Sequence, residues 1–352
     1  MQKVFDGHND ILLRLHMAPE RRSEIFLTGE GKGHLDLPRM QAGGFAGGMF
    51  AIYVPSPYDD EGDDAVAGFR APPYDMPLPE LIHAPEAIGP AMHQAGLFHW
   101  MVRASGGAFR HCLTVKDIRA AVDAGAIAGV LHMEGAEAIG ADLDALHLFH
   151  AVGMRSLGPV WSRPTIFGHG VPFRFPADPD TGPGLTPAGE ALVRECNSLR
   201  IMLDLSHLNA AGFRDVMRVS DAPLVATHSN AHAICHSTRN LTDWQLDAIA
   251  ESDGMVGLNF AVGFLRPDGL EDPNFDWDVM MRHLDHLISR LGENRVGFGS
   301  DFDGAMMPAG IADVEGLPRL VQACLDHQFG AELVEKLAFS NWMRVLEKTW
   351  GK

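Results

Sequence analysis

Cysteine is scarce in this sequence. The four residues Cys112, Cys196, Cys235 and Cys324 are scattered through 352 positions with no C-x-x-C pair. That excludes a disulfide framework and a zinc-finger site, and it fits a reducing compartment. Basic charge is also in deficit: 28 Lys+Arg against 46 Asp+Glu give a formal net charge of −18. Without a net basic field to draw phosphates in, nucleic acid and anionic membrane surfaces drop out as partners. No apolar run approaches the roughly 20 residues that a membrane span needs. Strand-like sequence begins by Val4, so no leader is expected. No internal repeat or low-complexity tract stands out. The expectation is a cytoplasmic chain, with a homodimer left open.

What is present is the composition of a folded protein, 46% hydrophobic and 21% charged. Short apolar runs that read as buried parallel strands recur at 4–6, 48–54, 129–133, 154–157, 201–205, 224–227, 255–260 and 295–299. Amphipathic stretches lie between them, at 142–151, 242–252, 276–291 and 332–349. Another begins at Thr186, with Pro187 at the first helical position. Strands alternating with helices imply right-handed βαβ units, and eight of them predict a closed (β/α)8 TIM barrel. A doubly wound open sheet is the rival arrangement. The reading is a single barrel domain over residues 1–352 with long inserted loops at about 55–128 and 158–185. Such loops are where barrel enzymes keep substrate walls. The acidic tip Asp59-Asp60-Glu61-Gly62-Asp63-Asp64 reads as solvated loop.

Eighteen histidines make a bare count uninformative, so position relative to strand ends decides. His8 and Asp10 follow the first strand two residues apart, and residues so spaced in extended chain point the same way. Glu134 ends the third strand, His207 the fifth, His228 the sixth and Asp301 the eighth. Three carboxylates brought together would repel by several kcal/mol unless cations or protons offset them. Three His, one Glu and two Asp without a thiolate suit Zn²⁺ or a similar divalent ion, and they are enough for two ions sharing a carboxylate.

The segments Asp6-Gly7-His8-Asn9-Asp10, His132-Met133-Glu134-Gly135, Asp204-Leu205-Ser206-His207, Thr227-His228-Ser229, Arg239-Asn240 and Gly299-Ser300-Asp301-Phe302-Asp303-Gly304 together resemble the membrane (renal) dipeptidase family. The resemblance runs over almost the whole chain, in the family's order and at similar spacing. It implies a zinc-dependent dipeptidase on a barrel of the metal-dependent amidohydrolase type, in the manner of the soluble bacterial members. By that match His8 and Asp10 would bind one zinc, His207 and His228 the other, and Glu134 would bridge both. Asp301 would be the catalytic carboxylate, and Arg239 would hold the C-terminal carboxylate of a dipeptide substrate.

One departure stands out. Where family members often carry a substrate-binding histidine after the fourth strand, this sequence has Trp161. His169, on the Gly-flanked loop Phe167-Gly168-His169-Gly170-Val171, is the candidate to take over that role and steady the oxyanion, and Trp161 would then wall the substrate pocket. Asn259 could bond substrate or tie barrel loops together. Asp204 reads as orienting a ligand histidine, Asp303 as part of a turn, and His232 and His236 as accessory. The rival functions are a barrel acting on another small amide, N-acyl amino acid or lactone, and a metal-binding protein without catalysis.

Overall fold

A computed structural model of the chain describes residues 1–56 and 71–351. The acidic tip at 59–64 lies outside the described residues. Eight parallel strands form the centre: β1 Val4–Asn9, β2 Phe45–Tyr53, β3 Ile127–Glu134, β4 Met154–Leu157, β5 Met202–Leu203, β6 Val225–Ala226, β7 Met255–Leu258 and β8 Val296–Phe298. Each coincides with one of the eight expected runs. Their order around the sheet is β5-β4-β3-β2-β1-β8-β7-β6. The remaining gap is bridged by Asp204 opposite Val225, where Leu205 N–H donates to the Val225 carbonyl at 2.8 Å. The sheet is therefore a barrel rather than an open, doubly wound layer.

The strands read as apolar runs because both of their faces are covered. All nine residues of β2 and all eight of β3 are buried. Along β3, Ala128 and Val130 join an apolar cluster that also takes Phe5, Met49, Met202, Val225 and Met255 from five other strands. Trp342, Leu346 and Trp350 of the C-terminal helix Asn341–Trp350 close that cluster from below. Trp342 fits because Gly7, Gly257 and Gly297 face it: a Cβ at these positions would lie 2.5, 3.0 and 2.8 Å from its ring atoms. His132 and Glu134 continue the same face of β3 in steps of two, so the interior turns from apolar to polar toward the C-terminal strand ends.

Helices cover the outside where the sequence placed them: Asp144–Ala151, Pro187–Leu199, Asp243–Glu251 and Asp278–Leu291. The Thr186 side chain caps the second of these at Gly189 N–H. The expected helix at 332–349 is interrupted by a wider π turn, Lys336–Ser340, which buries Leu337 and Ala338. The connection after β2 carries the helix Ala84–Ala104, a short strand Phe109–His111 paired with the start of β3, and the helix Val115–Asp123. The two insertions meet: Tyr74–Asp75 pairs antiparallel with Arg174–Phe175, and the Arg174 and Asp75 side chains form an ion pair at 2.7 Å. All four cysteines are buried and unpaired. Among the described residues no helix is long and apolar enough to cross a membrane.

Candidate active site

At the C-terminal rim the strands bring His8, Asp10, Glu134, His207, His228 and Asp301 together. Several triplets of these groups have ligand atoms within 4.8 Å of one another, among them His8-Asp10-Glu134, Glu134-His207-His228 and His8-His228-Asp301. Glu134 lies in the middle. Its Oε2 is 3.6 Å from His8 Nε2, which is itself 3.3 Å from Asp10 Oδ2. Its Oε1 faces the other way, 3.0 Å from His207 Nε2 and 3.3 Å from His228 Nε2. His8 is fully buried, yet among the described residues neither of its ring nitrogens has a hydrogen-bond partner.

Hydrogen bonds below the site fix the histidine tautomers. The Thr227 hydroxyl donates to Asp204 Oδ2, so toward His228 Nδ1, 2.8 Å away, it can only accept. Nδ1 then carries the proton, and Nε2 offers its lone pair to the cluster. His207 Nδ1 is 2.8 Å from the Ser162 hydroxyl, and its Nε2 stands 3.1 Å from that of His228. Lone pairs and a carboxylate oxygen converging at this range repel unless a cation lies among them.

The electrostatics say the same. Burial would raise the Glu134 pKa, but the charge of His8 and the close approach of His207 and His228 hold it well below the carboxylate range. Burial pushes Asp10 up to about 8. Burial opposes charge on His8, yet Glu134 and Asp10 push it well above its ordinary value. His207 is lowered to about 3, by burial first and by Arg239 second. Burial would raise Asp301 too, but His228 and His8 bring it below its ordinary value. The metal-free cluster therefore keeps protons on His8 and Asp10 where cations would serve. Gly304 leaves the necessary room, since a Cβ there would lie 2.2 Å from Asp10 Oδ2 and 2.7 Å from Asp301 Oδ1. This donor set fits divalent metal.

The flanking candidates divide. Arg239 is 3% exposed and makes no ion pair among the described residues. Its Nη2 donates to the His228 carbonyl at 3.1 Å, its Nη1 to Ser229 Oγ at 3.4 Å, and its Nε has no partner. Burial accordingly lowers its pKa. Trp161 reaches the cluster, its ring centroid 5.8 Å from that of His207, and it also meets Tyr53 and Phe173. His169 is half-buried, its carbonyl accepting the Asn209 N–H, on a loop where Gly170 pairs with Leu208, and among the described residues its Nδ1 lacks a partner. It belongs to none of the metal-capable groups. The Asn259 side chain meets protein atoms, its Nδ2 donating to Asp301 Oδ2 at 2.9 Å and its Oδ1 accepting the Ala261 N–H at 2.6 Å. Asp303 anchors Arg14 and the His34 N–H. His232 bonds the Ala177 carbonyl.

Nothing along the chain assigns a role to the Ser162 and Thr227 hydroxyls, which become legible only once their histidine partners are placed. His132 and Asp6 had a signal: each sits two residues before a metal-capable group on the same strand. His132 bonds Ser156 Oγ at 2.9 Å, and Asp6 accepts from Ser300 N–H at 2.6 Å, tying β1 to the segment that carries Asp301.

A parallel eight-stranded barrel with His, Asp and Glu converging at its C-terminal rim has the architecture of a metal-dependent barrel enzyme. Comparison with known proteins narrows that class. The family described as membrane dipeptidase (peptidase family M19) matches residues 1–350. A metallo peptidase from Rhodobacter sphaeroides, liganded with a phosphinate mimic of the dipeptide L-Ala-D-Ala, is 61% identical, with a TM-score of 0.98 and 99% of each chain covered. The dipeptidase AC, a metallo peptidase of family M19, is also 61% identical, at a TM-score of 0.97 over 100% of this chain and 99% of that one. A Klebsiella pneumoniae protein described as uncharacterized, in the pqqA 5′ region, is 43% identical over 257 residues, which are 73% of this chain and 95% of that protein. The chain belongs to the membrane dipeptidase family, M19, and is a metallo-dipeptidase.

Proposed function

We propose that the chain hydrolyses the amide bond of free dipeptides using two zinc ions, one on His8 and Asp10, the other on His207 and His228, with Glu134 shared. The observation that carries this reading is the placement of Glu134, whose two oxygens face different ligand pairs. When bound, such a metal pair supplies Lewis acidity and lowers the pKa of water toward neutrality.

The residues of the chain do the rest. Asp301, held ionised at the rim, accepts the proton of the attacking water and returns it to the leaving amine. Among the described residues Arg239 has an unpaired Nε and no carboxylate of its own, so a substrate C-terminus would both satisfy and neutralise it. His169 would donate to the developing oxyanion, and Trp161 would wall the pocket beside His207. The dipeptide mimic held by the Rhodobacter relative supports a dipeptide with a D-residue in second place. The site is read as part of one barrel spanning 1–352, working in a reducing, cytoplasmic setting to which the four unpaired thiols are suited.

Zinc reconstitution followed by elemental analysis and a dipeptide panel tests the proposal. Two equivalents of metal and turnover of free dipeptides are expected. Asp301→Asn should keep the metal and lose about 10²–10⁴-fold in kcat. One equivalent that Glu134→Gln leaves unchanged would reject the shared pair, and an undiminished kcat in Asp301→Asn would reject its proton role.

A further inference from the structure

We propose that Asn259 is the positioning residue for Asp301, and that the expected contact with substrate is not its role. The inference rests on the reading of Asp301 as the proton carrier.

Asp301 needs a holder. It sits at φ 63°, in left-handed backbone that an aspartate enters at some cost. Its main chain is pinned, with its N–H donating to the His8 carbonyl at 3.0 Å and its carbonyl accepting from Gly304 and Ala305. That fixes Cα but leaves the carboxylate free to turn about its own bonds. Among the described residues one hydrogen bond reaches that carboxylate: Asn259 Nδ2 donates to Oδ2 at 2.9 Å.

The Asn259 amide cannot turn away. Its Oδ1 accepts the Ala261 N–H at 2.6 Å, which settles which end of the amide is oxygen and aims Nδ2 at Asp301. The second Nδ2 hydrogen points to the His228 carbonyl at 3.4 Å. Asn230 grips the backbone of the same residue on both sides, accepting from Asn259 N–H and donating to its carbonyl, each at 3.0 Å. Asn259 is fully buried, and both of its side-chain N–H donors are directed at protein oxygens. A chain of bonds thus runs from the end of β6 through Asn230, to the end of β7 at Asn259, to the segment after β8 at Asp301. Because the amide occupies Oδ2, Oδ1 is the oxygen left to take the water's proton, and Gly304 keeps space open beside it.

A double-mutant cycle on the zinc-loaded enzyme tests this. Asn259→Leu removes both amide groups at similar size. Asn259→Asp keeps an acceptor for Ala261 and loses the donor, so it serves should the leucine variant fold poorly. Each should lower kcat by about 10- to 100-fold, the scale of a misaimed catalytic group, with KM and metal content nearly unchanged. In the Asp301→Asn background the same changes should cost less than about twofold, because no carboxylate remains to be aimed. Equal losses in both backgrounds would show a general structural role and overturn the inference. A raised KM with kcat preserved would return Asn259 to substrate binding. If Asp301→Asn itself keeps full kcat, the underlying reading of Asp301 fails, a result separable from the cycle.

Discussion

The Thr227 hydroxyl lies 2.8 Å from His228 Nδ1 and spends its own proton on Asp204. Asp204 is buried, and although burial would raise its pKa, His228 and His132 bring it well below the ordinary value, so it is an acceptor only. One hydroxyl thereby sets the tautomer of a residue that must present a lone pair at Nε2. Replacing Thr227 with Val should weaken zinc binding by about 10- to 100-fold, the usual worth of such an outer contact. Thr227→Ser should behave like the parent. Competition against a chelator of known affinity measures this, and equal affinities for Val and Thr would show that the tautomer is fixed elsewhere.

Metal loading should release protons. At pH 7 the metal-free cluster holds protons on Asp10, whose pKa is pushed to about 8, and on His8, raised well above its ordinary value. Ligands bind metal deprotonated. Calorimetry of zinc binding in two buffers of different ionisation enthalpy should therefore report release of at least about one proton per chain near neutral pH. Release should shrink as pH rises past about 8. Binding heat that is independent of buffer would contradict the charge balance described for the cluster.

Arg239 bears on substrate choice. The neighbour that could have made it a stability residue, Asp243, is paired with His286 at 2.7 Å and lies near Arg290 instead. Arg239→Lys keeps the charge but loses the planar fork. It should reduce kcat/KM for free dipeptides by about 30- to 150-fold, corresponding to very roughly 2–3 kcal/mol. Dipeptides amidated at the C-terminus should be poor substrates of the parent and indifferent to the substitution. Equal slowing on both substrate types, or a lower Tm alone, would remove the carboxylate clamp.

His283 predicts a pH dependence away from the site. It is fully buried on Asp278–Leu291, where Nδ1 accepts the Ala231 N–H at 3.2 Å and Nε2–H donates to the Leu265 carbonyl at 2.9 Å. Burial lowers its pKa from 6.5 to about 4. Between those values the unfolded chain binds more protons, so this contribution is present above pH 6.5 and falls away as the pH drops toward 4. The loss approaches about 3 kcal/mol. His283→Gln should flatten that part of the acid-stability curve relative to the parent. Parallel curves for the two proteins would rule it out.

Much of this was legible along the chain. Strand runs bounded by turns marked all eight barrel strands, and Glu134 stood at the end of the third. The groups that could hold metal were legible for the same reason: they end strands, and strand ends on one rim of a barrel converge. Helix starts such as Thr186-Pro187 followed from capping chemistry within a few residues.

Asn259 marks where that reading stopped. From sequence alone it could bond substrate or tie loops, because its partners Asn230 and Asp301 stand 29 and 42 residues away. Likewise Asp6 meets Ser300 across 294 residues, and the Tyr74–Phe175 pairing joins two insertions that look independent in sequence. Periodicity reports how a side chain points relative to its own strand and its near neighbours. Which strands stand side by side, and whether a donor comes to rest 2.9 Å from a carboxylate, is decided only when the barrel closes and every buried polar group has to find its partner there.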